Sequence, residues 1–299
     1  MGSPLTHPPR LRAACAIVCV LTLSVPGLAL AQPTAIDGRP DPATVTVSSA
    51  GVSIQLQAAA AWNPQRIACQ GVEVAGPTGA YGTLLCVPAA GGWIGGQHTE
   101  GGVERVSVAT LSVDGREVEL ADGAAYDGAR AELTRTSLLD VVRLDAQLIL
   151  DAGRIIQRAT LEPTEDVIVS VIYPFMFCVD PGARAWLAMT EAGEEVSGEF
   201  TGDTELAWHE DWAWTAAYLP EQRTGLVVRH TARAEGAATL TAWWDTQRYR
   251  KLYVKLVMDE EPWREGRRLA AEVAAVCFQA PPAGWQEAAR AAADGLVVE

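Results

Sequence analysis

The chain has 299 residues, 49% of them hydrophobic and 20% charged, with a formal net charge of −14. A field this acidic disfavours nucleic acids and polyphosphates as partners and weighs against a polyanionic glycan, unless a local basic groove overrides it. Nearly all the positive charge is arginine, since Lys251 and Lys255 are the only lysines.

The first element is a leader. Arg10 and Arg12 precede an apolar run over residues 13–25 that is short for a membrane span, and Ala29-Leu30-Ala31 fits a small-x-small cleavage site. Residues 1–31 therefore read as a signal peptide, with a secreted or periplasmic product starting at Gln32. Removing two arginines and no acid takes the charge from −14 to −16. No later apolar run is long enough for a membrane helix. Residues 32–43, with Pro and Asp, read as a loose N-terminal arm, and residues 44–299 as one domain.

That domain reads as strand throughout. Val106–Ser112 and Glu117–Leu120 flank Val113-Asp114-Gly115-Arg116, where Asp-Gly suits a type I′ hairpin. Val142, Leu144, Ala146, Leu148 and Leu150 alternate with polar residues, and Asp151-Ala152-Gly153 turns the chain into Arg154–Leu161. Val167–Tyr173 is apolar on both faces and reads as a central strand. Leu252, Val254, Leu256 and Met258 alternate with Lys251, Tyr253 and Lys255. Ala270–Phe278 reads as the last core strand and Trp285–Ala293 as a short C-terminal helix. Hairpins without crossover helices predict an all-β fold, a large antiparallel β-sandwich.

Outside the leader the cysteines are Cys69, Cys86, Cys178 and Cys277. In an exported chain an even count favours disulfides, with three connectivities open. The favoured pairing is Cys69–Cys86, closing a Gly-rich loop, with Cys178–Cys277. No CxxC pair supports zinc on these cysteines.

The densest chemistry lies at Trp208-His209-Glu210-Asp211-Trp212-Ala213-Trp214. Aromatic faces stack on sugars or fill a core, and imidazoles and carboxylates move protons or bind hydroxyls. His209 with Glu210 and Asp211 is the leading acid–base candidate. His98, next to Gly95-Gly96-Gln97, is a loop histidine at a candidate cleft, and His230 alternates with Leu226 and Val228 on an apolar face. Arg248-Tyr249-Arg250 offers a lyase set. There Arg248 neutralises a uronate carboxylate and Tyr249 moves the α-proton, which requires a lowered Tyr pKa. A hydrolase would instead pair two carboxylates from Glu210, Asp211, Asp245 and Glu132. Trp93, Trp212 and Trp244 are the candidate sugar platforms, Trp62 and Trp285 the core candidates, and Arg229 a ligand-binding cation. No cofactor is expected; a metal held by His98, His209 and His230 is the alternative.

The blocks Gly91-Gly-Trp-Ile-Gly-Gly-Gln-His98, Val113-Asp-Gly, Arg154-Ile-Ile-Gln-Arg-Ala-Thr-Leu161, Trp214 to Val228 and Arg264 to Phe278 resemble galactose-mutarotase-like supersandwich proteins over residues 50–290. The resemblance implies carbohydrate chemistry. The epimerase histidine and acid motifs are absent in their usual wording, so it transfers no site residue. The expectation is an exported enzyme cleaving a polysaccharide or oligosaccharide, a lyase ahead of a hydrolase. Its alternative is a non-catalytic carbohydrate-binding sandwich.

Overall fold

The computed structural model describes residues 43–76, 82–96, 101–209, 211–235, 237–258 and 262–296. The leader and N-terminal arm expected from the sequence lie outside these residues. The described residues form 21 strands and one α-helix.

The strands build two mostly antiparallel sheets. Sheet B runs, in spatial order, β8 (Arg116–Val118), β7 (Gly102–Val113), β10 (Arg130–Leu139), β11 (Val142–Asp151), β12 (Arg154–Pro163), β21 (Leu269–Gln279), β18 (Thr224–Ala232), β17 (Trp212–Leu219), β14 (Ala185–Thr190) and β15 (Glu195–Glu199). Sheet A runs β9 (Ala124–Asp127), β1 (Thr44–Ser49), β2 (Val52–Gln57), β3 (Asn63–Cys69) and β4 (Val72–Ala75). It continues through β13 (Val171–Val179), β20 (Arg250–Val257), β19 (Ala238–Thr246) and β16 (Asp203–His209). A short pair, β5 (Leu84–Val87) and β6 (Gly92–Gly95), lies along the other half of β13. The parallel ladders are β1–β9 and β6–β7.

Alternation explains the layers. In β10, Ala131, Leu133, Arg135, Ser137 and Leu139 are buried while Arg130, Thr134 and Leu138 are exposed. In β20, Leu252, Val254 and Leu256 enter the inter-sheet core, which leaves Lys251, Tyr253 and Lys255 on the outer face of sheet A. The Asp114-Gly115 hairpin forms as expected, with φ of 49° and 76° at its two central residues, the positive pair a type I′ turn requires. Helix α1 (Trp285–Asp294) covers part of sheet B's outer face, where Trp285 stacks on Tyr218 at 5.2 Å and Ala289 and Ala293 are fully buried.

Two expectations are corrected. Only the end of Val167–Tyr173 is strand: β13 starts at Val171, Val167 makes one bridge to Trp263, and Ile168 is 50% exposed. The second half is central as expected, with Val171 and Ile172 paired to β5 on one side and β20 on the other, whereas the first half lacks ladders. The disulfide joins Cys69 to Cys277, whose Cα atoms are 6.2 Å apart, within bridging range. That bridge uses one cysteine from each favoured pair, so Cys69–Cys86 and Cys178–Cys277 both fall. The remaining two cannot pair with each other either: Cys86 stands opposite Val171, seven residues along β13 from Cys178, roughly 20 Å at strand rise. Neither Cys86 nor Cys178 takes part in a disulfide.

Candidate functional site

The outer face of sheet A carries a row of aromatic side chains across its strands. Trp93 of β6 stacks on Tyr173 of β13, with centroids 5.3 Å apart. Tyr173 tilts against Tyr253 of β20 at 4.8 Å, Tyr253 stacks on Trp244 of β19 at 5.8 Å, and Trp244 meets Tyr249 edge-on at 6.4 Å. Register builds the row. Leu84 pairs with Tyr173 and Cys86 with Trp93, so β5 and β6 bring Trp93 up to β13. Met176 pairs with Tyr253, and Trp244 with Lys251. Leu84, Met176 and Tyr253 form a buried cluster separate from the inter-sheet core, with Trp93, Tyr173 and Trp244 packed half-buried on it.

Lys251 sits at the floor of this row. It is 3% exposed, and its Nζ lies 5.0 Å from the Tyr253 ring centroid and 5.7 Å from that of Tyr249, within cation–π range. Burial dominates the titration of the whole group. It pushes the Tyr173 phenol up to about 12, raises Tyr253 and Tyr249, lowers the Lys251 amine, and pushes the Cys178 thiol up to about 12.

The structure thus brings together three residues singled out from sequence, Trp93, Trp244 and Tyr249, and adds Tyr173, Tyr253 and Lys251. It corrects others. Trp212 is fully buried in the inter-sheet core beside Trp186, 5.6 Å away, so it offers no face to a ligand. Arg229 points to the helix side of sheet B and donates from Nη1 to the Ala293 carbonyl at 3.2 Å. That carbonyl, near the end of α1, also accepts the Leu296 backbone N–H at 3.1 Å. His230 Nε2 lies 2.8 Å from Thr241 Oγ1, and burial followed by the charge of Arg233 lowers its pKa to about 4. It is a neutral packing histidine.

Tyr249 lacks the lowered pKa that the lyase set requires: burial, the largest effect, outweighs the nearby Arg248 charge. Arg248 is exposed at the tip of the β19–β20 hairpin, its backbone N–H bonded to Thr246 Oγ1 at 3.2 Å. Asp211 is exposed in the connection from β16 to β17, where the chain passes from sheet A to sheet B. His209 closes β16 opposite Thr241. His98 and Glu210 lie outside the described residues, and with them the metal triad and the His–Glu–Asp set. No group of three His, Cys, Asp or Glu side chains gathers among the described residues.

The remaining hydrolase carboxylates are structural. Asp245 pairs with Arg250 at 2.8 Å, nearly buried, and accepts the backbone N–H groups of Thr201 and Gly202 at 2.5 and 2.7 Å. Glu132 pairs with Arg130 at 2.9 Å on sheet B and accepts from Gln147.

Alternation marked Tyr253 and Lys251 as one face of β20. The missing signal was cross-strand register with β13, because Tyr173 lies about 80 residues from Tyr253 in the chain and no local pattern couples them.

No family model and no curated protein matches the sequence. Solved structures match in fold. A candidate aldose 1-epimerase from Escherichia coli K12 aligns over 79% of this chain and 99% of its own, at 11% identity and a TM-score of 0.46. A galactose mutarotase-like protein from Lactobacillus casei ATCC 334 aligns over 78% and 99%, at 9% identity and a TM-score of 0.45. The galactosidase domain of an alpha-galactosidase-sucrose kinase aligns over 79% of this chain, which spans 40% of that one, at 8% identity and a TM-score of 0.50. At these identities the likeness is one of architecture, and at that level the chain is similar to the galactose-mutarotase-like proteins.

Proposed function

We propose that this chain is an exported carbohydrate-recognition sandwich that takes a sugar chain on the outer face of sheet A. The observation that carries this reading is the five-ring row Trp93–Tyr173–Tyr253–Trp244–Tyr249, which stands apart from the core and keeps Trp93, Trp244 and Tyr249 half-exposed. Aromatic rings pair an apolar face with a polar handle, the combination a sugar ring with one apolar face requires. A row across several strands suits an oligosaccharide or polysaccharide better than one sugar ring. The architecture shared with an aldose 1-epimerase-like protein and a galactosidase domain agrees with a sugar partner without assigning a reaction.

The test is affinity for a panel of neutral and acidic oligosaccharides, measured by calorimetry on the chain from residue 32 onward. Trp244→Ala is expected to weaken binding about tenfold or more, as loss of a central aromatic anchor does. Unchanged affinity after that substitution would remove the row from the site.

A second reading, a polysaccharide lyase, is favoured by one observation: the Tyr249 ring lies beside the Lys251 amine and the adjacent Arg248 charge. In that reading Tyr249 withdraws the proton α to a uronate carboxylate. Its raised pKa places such activity at alkaline pH. The assay follows the ultraviolet absorbance of an unsaturated uronate together with new reducing ends. Both signals, lost in Tyr249→Phe, support the lyase; reducing ends alone point to hydrolysis; silence with retained binding leaves a binding module.

A further inference from the structure

Lys251 is anomalous in this molecule. Two other strongly buried cations have an acid beside them: Arg135 lies 3.2 Å from Glu104, and Arg250 lies 2.8 Å from Asp245. Such pairing is what makes burying a charge tolerable. Lys251 is as buried as these, at 3% exposure, yet among the described residues it makes no hydrogen bond or ion pair. Its neighbours are the Tyr249 and Tyr253 rings, with Cys178 and Trp244 across the strands on either side. Aromatic faces stabilise a cation only in part. The chain carries a net charge of −14, so supplying a carboxylate here would have needed little change in composition.

An ammonium held in an aromatic floor, with no acid paired to it among the described residues, is one half of an ion pair. We infer that the ligand brings the other half: the row takes a sugar bearing an acidic group, a carboxylate or a sulfate ester, seated on Lys251 Nζ. This inference rests on the carbohydrate reading and narrows it. The overall negative field opposes a densely charged polyanion, so the fit is a sugar chain with sparse acidic units. Burial lowers the free amine, and an anion at Nζ would favour its protonated form.

Calorimetry with three oligosaccharides of equal length tests this: one neutral, one containing a uronate, one carrying a sulfate ester. Wild type, Lys251→Met and Lys251→Arg are compared, with near-ultraviolet circular dichroism to confirm folding. The expected result is at least tenfold tighter binding of one acidic probe than of the neutral one. That preference falls to parity in Lys251→Met and is partly kept in Lys251→Arg. Which acidic probe is preferred identifies the acidic group. Should Lys251→Met fail to fold, the wild-type preference and its decline with added salt carry the test. Equal binding of neutral and acidic probes by wild type, or a preference that survives in folded Lys251→Met, overturns the inference and leaves the carbohydrate reading intact. No binding of any probe by wild type overturns the carbohydrate reading, and the inference with it.

Discussion

At the scale of single residues, burial decides which ionisable groups can act. His230 shows the consequence for stability. Its folded pKa is about 4, below the ordinary 6.5, because burial disfavours the imidazolium. The unfolded chain therefore binds the proton more readily between these values. Stability from the neutral ring is fully present above about pH 6.5 and is lost as pH falls towards 4, at roughly 1.4 kcal/mol per unit of separation. His230→Gln should flatten the urea-midpoint profile across that window; an unchanged slope would place the effect on other groups. Sequence reading set His230 on an apolar face from its spacing with Leu226 and Val228. The same alternation could not show that Trp212 is wholly buried or that Arg229 meets the end of α1, because both depend on elements distant in the chain. Trp93, Trp244 and Tyr249 were legible as ring-bearing residues beside glycines or charges. Their assembly was not, since it is made by the pairing of β5, β13, β20 and β19.

At the scale of elements, α1 and the aromatic row occupy different sheets, and this separates stability from binding. Trp285 stacks on Tyr218 at 5.2 Å and an interplanar angle of 5°, while Ala289 and Ala293 fit between helix and sheet B. Arg290 holds Glu195 of β15 through two contacts of 2.7 and 2.9 Å, exposed and therefore of small energetic weight. The indole is the main anchor. Trp285→Ala should cost about 2–3 kcal/mol, at or below the low end for a fully buried tryptophan because this one is half-buried. Chemical denaturation gives the number. Glycan affinity at the row on sheet A should stay within twofold, and a large loss would show that the two faces are coupled. The helix itself was legible from its short amphipathic run, and the long strands β11, β12 and β21 from alternation or continuous apolar character. Val167–Tyr173 misled only in its first half, because an apolar run looks the same whether strands flank it, as at Val171 and Ile172, or a lone bridge holds it, as at Val167.

At the scale of the whole molecule, the covalent link decides how the two sheets are held. Cys69 ends β3 in sheet A and Cys277 lies in β21 of sheet B, so one bond staples the layers and closes a loop of 208 residues. The bridge stands at one wall of a cavity of about 400 Å³ rimmed by the turns at Gly51 and Gly153. Local spacing favoured bridging Cys69 to nearby Cys86. The fold instead selects the partner that register brings to 6.2 Å, and no pattern within either strand encodes that distance. Two consequences follow for a thiol titration. In the chain from residue 32 onward, which lacks Cys15 and Cys19, the unfolded, non-reduced protein should show two reactive thiols, Cys86 and Cys178. The folded protein should show one at most, because Cys178 is fully buried with its pKa pushed up to about 12 and the thiolate is the reactive form. Replacing both Cys69 and Cys277 by serine should lower stability by about 2–5 kcal/mol while leaving both free thiols in place. Four thiols in that unfolded, non-reduced chain from residue 32 onward would refute the bridge, whereas two thiols that map to Cys69 and Cys277 would reassign it. The staple lies on β3 and β21, away from the row on β6, β13, β20 and β19. Its loss should therefore shift the melting temperature and leave glycan affinity unchanged at temperatures where the variant is folded.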